Sequence, residues 1–119
     1  MTAAYTSALV RTGHEGSFGD IVAALLPCAA GYVEIAGLLA ARGLPDAPHH
    51  RDWIETYSSV EMKEIAGRLG TIMNGCAESG SAGDRERWLR LYTMSARLEL
   101  LFFQMAWERS LWPETARAR

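Results

Sequence analysis

Apolar residues recur at helical spacing along almost the whole chain, and no stretch shows the sustained alternation that is typical of a β-strand. The pattern predicts three longer helices, a first helix from residue 2 or 3 to His14, and a short helix over 51–56. The longer helices are expected over 17–43, 60–75 and 84–110. The fold class predicted from this pattern is all-α, a helical bundle.

Serine followed three residues later by an acidic side chain is the signature of a capping box at a helix start. The chain has three such pairs: Ser17 with Asp20, Ser58 with Glu61, and Ser81 with Asp84. We expect loops or turns over 44–50 and 76–83, where proline or small residues cluster. Pro27 lies inside the second helix and should kink it just before Cys28 because proline lacks an amide donor.

The composition is that of one globular domain spanning residues 1–119, with 49% apolar and 22% charged residues. The net charge of −2 argues against nucleic-acid binding, which needs a basic surface. Two cysteines do not make a disulfide framework, so we expect a cytoplasmic protein. The N-terminus does not have the pattern of a signal peptide, and the apolar stretch 21–41 is too interrupted to predict a membrane span.

Cys28 is the first candidate for chemistry, because it follows a helix-breaking proline and has Tyr32 one turn later on the same face. It can be a nucleophile in a pocket. It can equally be a small buried hydrophobe, which is what an unpaired cysteine usually is. The local pattern alone favours the second interpretation.

Glu99 is the second candidate, since it lies on an apolar face of the last helix and should be buried. A buried carboxyl must be paired, hydrogen-bonded or protonated, and it can then serve as an acid or a base. The structural alternative is a pair with Arg97, Arg109 or a buried hydroxyl. Glu34 raises the same question, either as a second acid in the site or as a residue that ties its helix to a neighbour.

The remaining candidates are aromatic. They suit the walls of a pocket for a flat ring, although core filling is the commoner role for any one of them. They are Tyr5, Tyr32, Tyr57, Tyr92, Phe102 and Phe103. His14, His49 and His50 lack the spacing of metal ligands, so we predict no metal and no cofactor. The four tryptophans are expected in the core or at an interface.

Three blocks in order, ALLPCAAGYVEIAGLL, WIETYSSVEM and YTMSARLELLFFQMAW, resemble the TenA family, also called thiaminase II. The resemblance runs from about Tyr5 to Trp112. It implies an all-helical fold similar to that of haem oxygenase, without haem. It also implies hydrolysis of aminopyrimidines, and in some members of thiamine, in thiamine salvage.

The resemblance implies a role for each matching residue. Cys28 matches the catalytic cysteine and Glu99 the catalytic glutamate. Tyr5, Tyr32 and Tyr57 match pocket tyrosines, and Phe102 matches a phenylalanine that stacks on the substrate ring. The implied mechanism is covalent, with Cys28 adding to the pyrimidine and Glu99 handling protons. Leu98 departs from the pattern, because a tyrosine usually precedes the glutamate.

The chain is about half as long as a family member and resembles only its C-terminal part, without the opening helices. Three interpretations follow: a fragment of a full enzyme, one subunit of a split enzyme completed by a separate N-terminal chain, or a degenerate helical module that only binds or oligomerises. The expected partners are an aminopyrimidine or thiamine and a second chain, with no nucleic acid and no membrane.

Overall fold

The computed structural model describes residues 2–109, and these form five α-helices with no strand among them. In chain order the helices are α1 (Thr2–Glu15), α2 (Phe18–Ala41), α3 (Pro48–Tyr57), α4 (Val60–Ser79) and α5 (Ala82–Glu108). The predicted all-α class is confirmed. Ser110, with which the last helix was expected to end, and Trp112 lie outside the described residues.

The helix boundaries follow local signals, with three corrections. Both Ser17 and Ser81 form complete capping boxes, as predicted. The cap of α4 is Ser59 and not Ser58, because the Ser59 hydroxyl accepts from the Met62 amide. Helix α3 begins at Pro48, inside the predicted loop, since proline fits the first position of a helix. Helix α4 continues to Ser79, so the predicted turn shrinks to the two residues before α5.

Helix α2 lies at the centre of the bundle and contacts each of the other four helices. It is the one described helix that is long and apolar enough to cross a membrane. Its central position accounts for part of that composition, because Val22, Ala23, Ala24 and Ala36 are buried. The helix continues through Pro27, whose side chain is buried.

Helices α2 and α5 run parallel, and their contacts keep a constant offset along the sequence. Asp20 pairs with Arg87 near the start of both helices, and Tyr32 bonds to Glu99 three turns later; each pair is 67 residues apart. The long connection through α3 and α4 permits this parallel arrangement. The offset fixes which side chains of the two helices can meet.

A polar cluster, the N-terminal clamp, joins the starts of α2 and α5 and consists of Ser17, Asp20, Arg87 and Trp88. One Asp20 oxygen accepts from the Trp88 indole at 2.7 Å, from Arg87 at 3.0 Å and from the Ser17 hydroxyl at 3.0 Å. Although burial opposes ionisation, these bonds hold the pKa of Asp20 below its usual value. Gly19 packs directly against the indole, where a Cβ atom would come within 2.4 Å of the ring.

Much apolar surface is exposed on the described bundle. Helix α4 has no buried residue. Large apolar side chains that are more than half exposed include Val10, Phe18, Leu38, Val60, Leu89, Leu100 and Trp107. Trp107, expected in the core or at an interface, is 89% exposed and therefore is not in the core of this bundle.

Candidate active site

Glu99 is buried between three helices, as its sequence context predicted, with 8% of its surface exposed. The Tyr5 hydroxyl of α1 donates to Oε1 at 2.5 Å, and the Tyr32 hydroxyl of α2 donates to Oε2 at 2.9 Å. Each carboxylate oxygen thus has a phenol partner. Of the structural alternatives left open by the sequence, the buried hydroxyl is therefore the one observed, and neither Arg97 nor Arg109 forms an ion pair with Glu99 in the described range.

Cys28, which is on α2, lies next to the Glu99 carboxylate. Burial raises the pKa of the Cys28 thiol, and Glu99 raises it further through its negative charge and as a hydrogen-bond acceptor. Burial also raises the pKa of Tyr5 and of Tyr32, and the hydrogen bonds to Glu99 add to this effect. The thiol and both phenols are therefore protonated at neutral pH and can act as donors.

An aromatic wall surrounds Tyr32. The Tyr57 ring meets the Tyr32 ring edge-on at 5.4 Å, and the Phe103 ring does so at 5.7 Å. Trp53 lies 6.0 Å from Tyr32 and 4.8 Å from Tyr57. Phe102 follows on the same helix as Glu99 and contacts Phe103 at 6.1 Å. Edge-to-face packing of this kind fixes the rings, and hence the direction of the Tyr32 hydroxyl.

Not every predicted residue belongs to this group. Glu34 is exposed, so the prediction of a second acid or a buried tie at this position is wrong. The apolar sequence around Glu34 did not reveal this exposure. Trp53 belongs to the aromatic wall but was not predicted there. Its position one turn before Tyr57 on α3 is the signal that indicates it.

The group can perform acid–base chemistry beside a nucleophile. Three protonated donors converge on one carboxylate, and the Cys28 residue is partly exposed. Among residues 2–109, no cluster of three or more histidine, cysteine, aspartate or glutamate side chains could hold a metal ion. Fold and site together define an all-helical protein with a cysteine, a glutamate and paired tyrosines at one buried centre.

Comparison with known proteins assigns the chain to a family. The sequence model of the TENA/THI-4/PQQC family matches residues 1–109, and the chain belongs to this family. It is 34% identical over 114 residues to an aminopyrimidine aminohydrolase of Halalkalibacterium halodurans, a match that covers 93% of this chain and 50% of that protein. The family resemblance predicted from the sequence is therefore confirmed.

Two further relatives extend the comparison. An aminopyrimidine aminohydrolase of Bacillus subtilis is 29% identical over 112 residues, covering 94% of this chain and 47% of that protein. The thiamine biosynthesis multifunctional protein ThiED of Corynebacterium efficiens is 33% identical over 108 residues, covering 89% of this chain and 14% of that protein. The chain spans about half the length of the aminohydrolases it matches.

Proposed function

We propose that this chain carries the catalytic cysteine and glutamate of an aminopyrimidine aminohydrolase that acts in thiamine salvage. The observation that carries the proposal is the shared carboxylate: Glu99 binds Tyr5 and Tyr32 and lies beside Cys28 in one buried group. The names of the relatives support the substrate class, an aminopyrimidine or thiamine. The site residues need no cofactor for this reaction.

The first step is proton transfer from Cys28 to Glu99. Because the pKa of the thiol is raised, a base must remove its proton before the sulfur becomes a good nucleophile. Glu99 is the carboxylate within reach. Tyr5 and Tyr32 hold the carboxylate in place through its two oxygens.

Addition and elimination then follow with Glu99 as the proton carrier. The thiolate forms a C–S bond to an electron-poor carbon of the pyrimidine ring, and the displaced electron pair on the ring nitrogen takes the proton from Glu99. That proton returns through Glu99 to the leaving amine, the C–N bond breaks, and ammonia leaves. Water then adds at the carbon that the amine has left, and Glu99 carries its proton in the same way. The C–S bond breaks, and Cys28 regains its proton.

The aromatic residues bind and orient the ring. Phe102 lies one turn beyond Glu99, where a ring stacked on it would be near the carboxylate. Tyr57 packs against Tyr32 and supports its hydroxyl. Tyr5, from α1, closes the group on the side opposite α2.

A second chain or a second copy completes the pocket in this proposal. Helices α4 and α5 expose large apolar side chains, Val60, Leu89, Leu100 and Trp107 among them, and such side chains are typical of a surface that a partner covers. The partner we favour is a segment or chain that supplies the part of the aminohydrolases that this sequence does not match. A homo-oligomer is the other possibility, and the cytoplasm is the proposed location.

The test measures ammonia release from an aminopyrimidine, by the chain alone and by the chain co-expressed with the N-terminal half of a relative. We expect turnover in the complemented sample, its loss in Cys28→Ala, and its retention in the matched control Cys76→Ala. Both cysteines are partly buried, so the two variants remove similar side chains. Turnover that survives Cys28→Ala would refute the nucleophile.

The exposed apolar surface also favours a second function, a non-catalytic helical module that binds or oligomerises. Leu100 is 67% exposed and Trp107 is 89% exposed on the same helix. This function predicts self-association that weakens in Leu100→Gln, measured by sedimentation across a range of concentrations. A monomer at all concentrations would argue against it, as would turnover that depends on Cys28.

A further inference from the structure

Ser95 is the most unusual polar residue of the described chain outside the proposed catalytic group. It lies on α5, one turn before Glu99, and none of its surface is exposed. Its hydroxyl oxygen has no hydrogen-bond partner, although it is buried. A buried hydroxyl without a partner is costly, and such a group calls for an explanation.

Three other hydroxyl side chains inside the helices behave differently. The hydroxyls of Thr12, Thr71 and Ser79 each donate to the backbone carbonyl four residues earlier, at 2.8 to 3.1 Å. This is the usual arrangement for serine or threonine within a helix. Ser95 departs from it, so its hydroxyl hydrogen is available to another group.

The parallel register of α2 and α5 identifies that group. Asp20 with Arg87 and Tyr32 with Glu99 are in contact and are each 67 residues apart. Cys28 and Ser95 are separated by the same number of residues, one turn before the Tyr32–Glu99 pair. Because observed contacts bracket this position on both sides, the register places Ser95 on the side of α5 that faces Cys28, without a hydrogen bond between the two residues.

The two hydroxyls that share the Glu99 carboxylate with Cys28 already have a partner. The hydroxyl of Tyr5 from α1 and that of Tyr32 from α2 are both bonded to Glu99. Glu99 of α5 is the charged group that acts on Cys28 in the described range, and Tyr57 of α3 acts on Tyr32. Once the thiol proton has moved to Glu99, the sulfur carries a negative charge in a half-buried site and has no cation beside it.

We propose that Ser95 stabilises the Cys28 thiolate by donating its free hydroxyl hydrogen to the sulfur after the thiol is deprotonated. This inference rests on the proposed function and adds a residue to it. The S–H bond breaks and an O–H bond forms at Glu99; the Ser95 hydroxyl keeps its hydrogen and only rotates toward the sulfur. Hydrogen bonds to charged acceptors are stronger than those between neutral groups, so the unpaired hydroxyl gains its partner when it is needed.

The experiment measures the rate at which iodoacetamide alkylates Cys28 as a function of pH, with the adduct at Cys28 quantified by mass spectrometry. We expect Ser95→Ala to move the half-maximal pH upward by about one unit, which is about tenfold less thiolate at a given lower pH. The matched control Ser79→Ala removes a hydroxyl that already has a carbonyl partner and leaves the profile unchanged. Ser95→Thr, which keeps a hydroxyl, should return the profile to that of the parent chain.

Thermal unfolding of the same variants separates this role from a structural one. Since the hydroxyl has no partner in the folded chain, Ser95→Ala should keep or raise the melting temperature. An unchanged alkylation profile in Ser95→Ala would overturn the proposal, whether or not the melting temperature falls. The assay needs no turnover, so its outcome is independent of whether Cys28→Ala abolishes ammonia release.

Discussion

Replacing Asp20 by alanine tests the physical account of the N-terminal clamp. The carboxylate is 8% exposed and accepts the Trp88 indole, the Arg87 guanidinium and the Ser17 hydroxyl. Its loss would leave the indole N–H without a partner at the point where α2 and α5 begin. It would also remove the acidic half of the α2 capping box.

The magnitude can be worked from these contacts. A hydrogen bond to a charged acceptor is worth about 1.5–3 kcal/mol, and a helix cap about 1 kcal/mol. The Arg87 side chain is 40% exposed, so its ion pair adds little. We expect Asp20→Ala to lower the free energy of unfolding by roughly 3 kcal/mol, a large share of the stability of a small domain.

Urea denaturation followed by circular dichroism measures this loss. The matched control is Asp84→Ala, which removes the equivalent capping residue of α5 and its ion pair to Arg87 from a partly exposed position and should cost much less. Asp20→Asn keeps one acceptor for the indole and should fall between the two. The reasoning is refuted if Asp20→Ala costs no more than the control.

The pH dependence gives a second readout of Asp20. Its pKa is lowered in the folded chain, so its contribution is complete above the unfolded value of about 3.9. The contribution is lost as the pH falls through the lower folded value. We therefore expect the difference in stability between the parent chain and Asp20→Ala to shrink below about pH 4. A difference that stays constant into acid would contradict a charged Asp20.

Further predictions concern the tyrosines and the glycines. Absorbance at 295 nm should show Tyr5 and Tyr32 ionising above the usual pKa of a phenol, and Glu99→Ala should bring both back toward about 10; unchanged titration would contradict the hydrogen bonds. Gly19→Ala should destabilise the chain by about 1–3 kcal/mol in urea, because its Cβ would overlap the indole ring. Gly67→Ala, with open space around it, should instead stabilise by up to about 1 kcal/mol, and equal effects would refute the packing argument.

Local signals predicted the helices well because each acts over a few residues. Two of the three capping boxes lie where the serine–acid spacing placed them. The third failed by one residue, since Ser58 and Ser59 are adjacent and only the Ser59 hydroxyl reaches the Met62 amide. The prediction of a loop at Pro48 is wrong, because proline favours both loops and helix starts and here begins α3.

The candidate site depended on information that no local pattern holds. The burial of Glu99 followed from the apolar face around it, but its bond to Tyr5, a residue 94 positions away, was not predicted. Glu34 lies in an equally apolar sequence but is exposed. Its exposure could not be predicted, because hydrophobicity does not indicate which side of a central helix contacts a neighbour. The missing partner of Ser95 is likewise a property of the folded chain alone.

The parallel pairing of α2 and α5 has a consequence for how the chain folds. Antiparallel neighbours in a bundle can pack together from the short turn that joins them. Helices α2 and α5 can pack together only once the long connection through α3 and α4 brings them side by side. Contacts so distant in sequence slow the search for the native state. During synthesis, the Cys28 thiol on α2 therefore has no Glu99 beside it until α5 has left the ribosome.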